Sequence, residues 1–209
     1  VLPGVRTEVV SNGIDVERFA DLRHVAHEGP TVLTVGAVKP RKGVLELIQA
    51  FDTARRTRPN ARCVIVGSLS DTAYADLLQA EIACRGLVDC VILTGRVSDD
   101  ELMRWYRTAD IFALPAMNDG ARFEGFGLVY LEASAVGLPV IGTRDCGAEQ
   151  AIIDGQTGWL IPQHGVVEAL ADALIRLLES PETRGQMGAR GRAFAAEQTW
   201  ERAAQAFIG

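Results

Sequence analysis

From Thr31 onward, short apolar runs of five to eight residues alternate with longer segments whose apolar positions recur at helical spacing. The runs are TVLTVGAV (Thr31 to Val38), ARCVIVG (Ala61 to Gly67), CVILTG (Cys90 to Gly95), DIFALP (Asp110 to Pro115), PVIGT (Pro139 to Thr143) and GWLIP (Gly158 to Pro162). They are rich in β-branched residues and show no polar alternation, so each predicts a strand buried on both faces. GVLELIQAFDTARRT follows the first run, with Leu45, Ile48, Phe51 and Ala54 at helical spacing. AYADLLQAEIACRG predicts a helix ending on Gly86. SDDELMRWYRTA opens with Ser98 and Glu101 in capping-box positions. The stretch RFEGFGLVYLEASAVGLPVIGT predicts a helix stopped by Gly137, with Pro139 just beyond. GVVEALADALIRLLES is strongly amphipathic, and the remainder to Gly209 is helical in composition.

Apolar strands alternating with helices predict a parallel sheet covered on both faces. The expected class is α/β: a doubly wound, Rossmann-like parallel sheet of about six strands. In that architecture ligands bind beyond the carboxyl ends of the strands. Attention falls on Gly36 to Gly43, Gly67 to Asp71, Gly95 to Ser98, Ala116 to Gly127 and Thr143 to Glu149. Residues 1–29 differ: TEVVSNGIDVERF reads as a connector arriving from a preceding domain, with 30–209 the domain proper and helices in 164–209 packing on it. The chain opens on Val1 without an initiating Met, which reads as a piece of a longer protein.

Composition narrows the function. A chain of 209 residues with formal net charge -6 is a poor nonspecific nucleic-acid binder. An anionic ligand would have to be held by local positive groups. No apolar run approaches the roughly 18 residues of a membrane span. The cysteines Cys63, Cys84, Cys90 and Cys146 form no CxxC and suit free thiols in a reducing compartment, so the expected location is cytoplasmic. His24 and His27 make an HxxH in a polar segment; with no third ligand nearby in sequence, they read as part of a solvated linker.

The usual phosphate loops are missing. The first strand leads into GAVKPRKG, which is neither GxGxxG nor GxxxxGK[ST]. The glycine turn comes after the fourth strand instead, in EGFGLVYLE. Gly125 and Gly127 would let backbone approach a bulky ligand and open a helix, whose N-terminus is an anion site. Glu132 would lie about 7.5–9 Å along the axis, roughly the span from a diphosphate to the ribose of the same nucleotide. Glu124, just before the helix, would accept from sugar hydroxyls on the other side. The plain alternative makes Glu124 a first-turn acid and Glu132 a solvated helix residue; the apolar neighbours of Glu132 argue against exposure.

FEGFGLVYLEASAVGLPVIGT resembles the E-x7-E segment of retaining glycosyltransferases of the GT-B fold, especially glycosyltransferase family 4 (group 1). SNGIDVERF, TVGAVKPRKGVLELIQAF, LTGRVSDDELMRWYRTADIFALPA and GAEQAIIDGQTGWLIP resemble further family segments in the same order. The resemblance implies the C-terminal, donor-binding half of a two-domain enzyme, with the N-terminal acceptor domain missing and the fragment alone inactive. It implies catalytic roles for Lys42, on the donor diphosphate, and Glu124, on the donor sugar. It implies donor contacts from Glu132 (ribose), from Gly125, Phe126, Gly127 and Leu128 (phosphate), and from Gly36, Arg41, Arg96 and Val97, the last two at the base. The donor would be a nucleotide-diphosphate sugar. No DxD motif is present, so no metal or other cofactor is expected. Peripheral membrane contact of the full-length protein stays open. One departure stands out: where the family commonly has VGR, this chain has Ala37, and the diphosphate clamp loses a cation.

Two other readings remain: a noncatalytic nucleotide-sugar-binding module, and a GT-B sugar-nucleotide epimerase relative, which would need more acids and histidines in the cleft. A dehydrogenase is disfavoured by the absent fingerprint.

Overall fold

The structure is a computed structural model and describes residues 12–20, 22, 24–25, 27–120 and 124–208. Along the chain come α1 (Glu17–Ala20), β1 (Thr31–Val35), a 3-10 turn (Pro40–Lys42), α2 (Val44–Arg55), β2 (Arg62–Val66), α3 (Thr72–Cys84), β3 (Val91–Gly95) and α4 (Asp99–Thr108). They are followed by β4 (Ile111–Ala113), α5 (Leu128–Ala135), β5 (Val140–Thr143), α6 (Ala148–Ala151), β6 (Gly158–Ile161), α7 (Val166–Glu179), α8 (Pro181–Ala196) and α9 (Trp200–Ile208).

The six strands are the six expected. All pair in parallel, in the order β3-β2-β1-β4-β5-β6. β1 is shorter than the expected run to Val38. Gly36 takes φ +150° and turns the chain, and the Val38 N–H leaves the sheet to donate to Ser68 O at 3.0 Å.

Alternate strand residues feed two cores. Val32, Cys63, Ile65, Ile111 and Ile141 face α2, α3 and α7, whose Leu47, Phe51, Leu78, Leu170 and Leu174 are fully buried. Leu33, Val64, Phe112, Leu114 and Val140 face the other side, with Tyr106 of α4, Tyr130 and Leu131 of α5, Ala148 of α6 and Ala195 of α8. Burial on both faces explains why the strands read as unbroken apolar runs. No helix among the described residues is long and apolar enough to cross a membrane.

The predicted stops are present. Ser98 Oγ accepts from the Glu101 N–H at 3.3 Å at the start of α4. Gly137 takes φ +84°, and the Leu138 N–H returns to Ala133 O at 3.0 Å, which closes α5 in a Schellman turn.

Part of the leading connector packs on the domain. Ile14 bridges to Thr199 and Phe19 is buried against the ring edge of Tyr106. The HxxH reading needs correction. His27 is half-buried, and Asp110, brought up by β4, faces both imidazoles.

Two tests follow from the packing. Gly188 of α8 is pressed on α5: a Cβ there would come 2.0 Å from Gly137 O, whereas one at Gly185 would meet nothing within 4 Å. Gly185→Ala should raise stability by about 1 kcal/mol through helix propensity. Gly188→Ala should lower it by about 1–3 kcal/mol through overpacking. Urea unfolding of the two variants reads the opposite signs. In the native protein a thiol reagent should modify exposed Cys84, while Cys63, whose thiol burial pushes far up in pKa, should react only on unfolding.

Candidate functional site

The strand order reverses between β1 and β4, and a crevice opens at their carboxyl ends. Two loops meet there. After β1, the 3-10 turn ends on Gly43 at φ +66°, packed so closely on the next loop that a Cβ would lie 2.0 Å from Pro115 O. The Met117 N–H, just after β4, donates to Arg41 O at 2.8 Å. These backbone contacts fix Arg41 and Lys42 opposite the segment that carries Glu124.

Glu124 is only 8% exposed, and a carboxylate so buried requires partners. Its Oε2 accepts from Lys42 Nζ at 2.5 Å and from Arg41 Nη1 at 3.2 Å. Its backbone carbonyl accepts from the Gly147 N–H at 2.8 Å. Gly147 has to be glycine: a Cβ would come 2.2 Å from Gly125 O. Gly36 borders the same group, since a Cβ on it would lie 3.9 Å from Lys42 Cε. Arg41, Lys42, Glu124 and Gly36 are thus one cluster, built by residues up to 88 positions apart in sequence, from 36 to 124.

Gly127 caps α5 at φ +72°, and Tyr130 lies directly beneath it. The Tyr130 hydroxyl donates to Leu114 O at 2.6 Å and its ring meets Phe112 edge-on, which ties the start of α5 to β4. Burial raises the pKa of this phenol well above the ordinary range. The N–H groups of Leu128 and Val129 open α5 at its positive dipole end, while the Tyr130 N–H donates to Gly127 O at 2.9 Å. Gly125 is exposed, Phe126 and Leu128 half-buried, and Gly127 buried.

Glu132 sits one turn into α5, about 6 Å from Leu128, closer than the 7.5–9 Å read from the sequence because the helix begins only at Leu128. It is half-buried, and its Oε2 accepts from the Tyr106 hydroxyl at 2.8 Å. Burial first, and then the Glu132 charge, pushes the Tyr106 phenol well up in pKa, so it stays a donor. Arg96 and Val97 follow β3, two strands or about 10 Å along the sheet from β1. Arg96 is exposed; Val97 packs on the same buried cluster as Phe126 and Leu128.

A cavity of about 550 Å³ adjoins Arg41, lined by Lys39, Pro40, Arg41, Asp71 and Asp119. Its size is in the range of small-ligand sites. Lys39, Arg41 and Lys42 concentrate positive charge here in a chain of net charge -6. Asp71 also caps α3, accepting from the Tyr74 N–H at 3.1 Å. Sequence reasoning did not find Tyr106, which lies in an ordinary amphipathic helix, or Gly147, whose tight contact has no local signature. The sugar-side stretch AMNDGARFEG includes Ala121, Arg122 and Phe123, which lie outside the described residues. Ala37 is exposed at the mouth of the β1 loop.

Chemically, the crevice offers cations, a helix start and two carboxylates of different surroundings. It suits a ligand that is anionic in the middle and hydroxylated at both ends.

Residues 18–194 match the family model for glycosyl transferases group 1. The chain is 33% identical over 210 aligned residues to a GDP-mannose-dependent alpha-(1-6)-phosphatidylinositol monomannoside mannosyltransferase of Mycolicibacterium smegmatis, covering 95% of this chain and 54% of that protein. It therefore spans about half the length of that relative. HepE of Anabaena, solved with UDP and glucose, superposes with a TM-score of 0.82 at 22% identity, over 98% of this chain and 57% of that one. The C-terminal domain of the group 1 glycosyl transferase LpcC from Francisella tularensis superposes with a TM-score of 0.72 at 24% identity, over 90% of this chain and 95% of that one. These neighbours share the fold.

Tyr106→Phe would remove the donor to Glu132 and leave the packing in place. Stability should fall by about 1–2 kcal/mol, measured by chemical denaturation, with the native circular dichroism spectrum retained.

Proposed function

The chain belongs to the glycosyl transferases of group 1, and from that footing we propose that it is the donor-binding half of a retaining glycosyltransferase. The donor is a nucleotide-diphosphate sugar, and the acceptor domain lies in the N-terminal part of the same protein. The observation that carries this reading is the cluster at the switch point, where Glu124 holds both Arg41 and Lys42 beside the start of α5, with Glu132 one turn further on. The half-length match to the mannosyltransferase relative and the near-complete overlay on a solved C-terminal domain support the two-domain part of it.

In the bound state the diphosphate takes Lys42, Arg41 and the N–H groups of α5. Glu124, released from part of its ion pairing, accepts from hydroxyls of the sugar. Glu132, oriented by Tyr106, accepts from ribose. The bond between the anomeric carbon and the diphosphate oxygen breaks, and its electron pair goes to the diphosphate. The acceptor oxygen bonds the anomeric carbon from the same face, and its proton passes to a departing phosphate oxygen. The chain's task is electrostatic: Lys42 and Arg41 stabilise charge growing on the leaving group. On this reading Arg41, held beside Lys42 by Glu124, supplies the cation that Ala37 does not. Glu124 is not assigned as a glycosidase-type nucleophile on this reading; its Oε2 is already held by two cations. No metal is invoked.

A thermal-shift panel with UDP, GDP, ADP and NAD tests the reading. One nucleoside diphosphate at about 100 times its dissociation constant should stabilise the protein by about 2.7 kcal/mol. Lys42→Ala and Glu132→Ala should each reduce the shift. The relative's GDP-mannose dependence makes GDP the expected responder. A shift with NAD alone, or equal shifts in wild type and both variants, would refute the donor-site assignment.

A further inference from the structure

Away from the switch point, at the amino end of the sheet, Asp110 meets two histidines of the segment leading into β1. His24 Nε2 lies 3.5 Å from Asp110 Oδ1, and His27 Nε2 lies 3.3 Å from Oδ2. One donor atom from each of the three residues lies within 4.8 Å of the others. Neither ring nitrogen of His27 makes a hydrogen bond, although both are buried. Two imidazole nitrogens aimed at one carboxylate without hydrogen-bond geometry are poorly explained as a simple polar contact.

The distances suit a shared cation instead. In a tetrahedral zinc site with bonds of about 2.0–2.1 Å, neighbouring donor atoms are about 3.3 Å apart. His24 Nε2 is close to that edge length from Oδ1, and His27 Nε2 from Oδ2, the other oxygen of the same carboxylate. The carboxylate is already oriented, because Oδ2 accepts from the Thr31 N–H at 2.8 Å. Such second-shell support is characteristic of built metal sites. A cavity of about 240 Å³, lined in part by His24, Asp110, Tyr106 and Arg184, opens beside two of the three ligands, with space for water or a small anion. Arg184 Nη2, 3.9 Å from Asp110 Oδ1, balances the carboxylate in the metal-free protein and would favour an anion as a fourth ligand.

We propose that His24, His27 and Asp110 form a binding site for Zn2+ or a similar imidazole-preferring divalent metal. The ligand set is nitrogen-rich, which favours such metals over Mg2+ or Ca2+. The metal would tie the segment before β1 to the start of β4, a staple remote from the Glu124 cluster. The site is independent of the donor reading.

Metal-depleted protein titrated with Zn2+ by isothermal calorimetry, with Mg2+ as control, decides the matter. The expected result is one Zn2+ per chain, no saturable Mg2+ binding, and affinity at least about tenfold weaker in His24→Gln and in His27→Gln. Co2+ in place of Zn2+ should give a tetrahedral visible absorption band that is lost in His24→Gln. The exposed His24 makes that variant safe for the fold, so it carries the test if His27→Gln does not fold. Absence of stoichiometric Zn2+ binding, or binding of unchanged affinity in His24→Gln, overturns the proposal.

Discussion

The candidate site depends on one buried carboxylate holding two cations across the point where the strand order reverses. Glu124 is buried and takes both Lys42 and Arg41 as its partners. Those two in turn are held by a loop locked to its neighbour through Gly43 and the Met117 amide. The arrangement holds charge in a partly buried setting, where it acts more strongly than at a fully solvated surface.

The fold was legible because burial on both faces erases strand alternation. The runs from Thr31, Ala61, Cys90, Asp110, Pro139 and Gly158 announce themselves as buried parallel strands, and the stops at Gly86 and Gly137 carry their own backbone chemistry. The ends of β1 and β4 were misjudged, β1 the more. Val38 is as apolar as the strand before it, and nothing local shows that Gly36 has already turned the chain toward Ser68.

The candidate site was legible where its residues are clustered in sequence, as in EGFGLVYLE and PRKG. It was hidden where a partner comes from elsewhere in the chain. Tyr106 reaches Glu132 from a helix whose pattern reports only its amphipathicity. Gly147 matters through a contact with Gly125 that no spacing rule contains. Asp110 turns an unremarkable HxxH into a three-ligand group because β4 places it beside the entry to β1. In each case the missing information is tertiary proximity, which composition and periodicity do not encode.

The strand pairing has a consequence for how the molecule is made. β1, β2 and β3 are joined by successive short crossovers and can associate as soon as each has formed. β4 must then return past them to pair with β1, aligning Val32 with Ile111, so the chain between is closed into one large loop. Closure of that kind is slow compared with the pairing of sequential neighbours. The crevice has no walls until that step is complete. During synthesis from the amino end, Lys42 and Arg41 stay solvated until Glu124 has emerged, and their ion pairs form only as the sheet gains its second half.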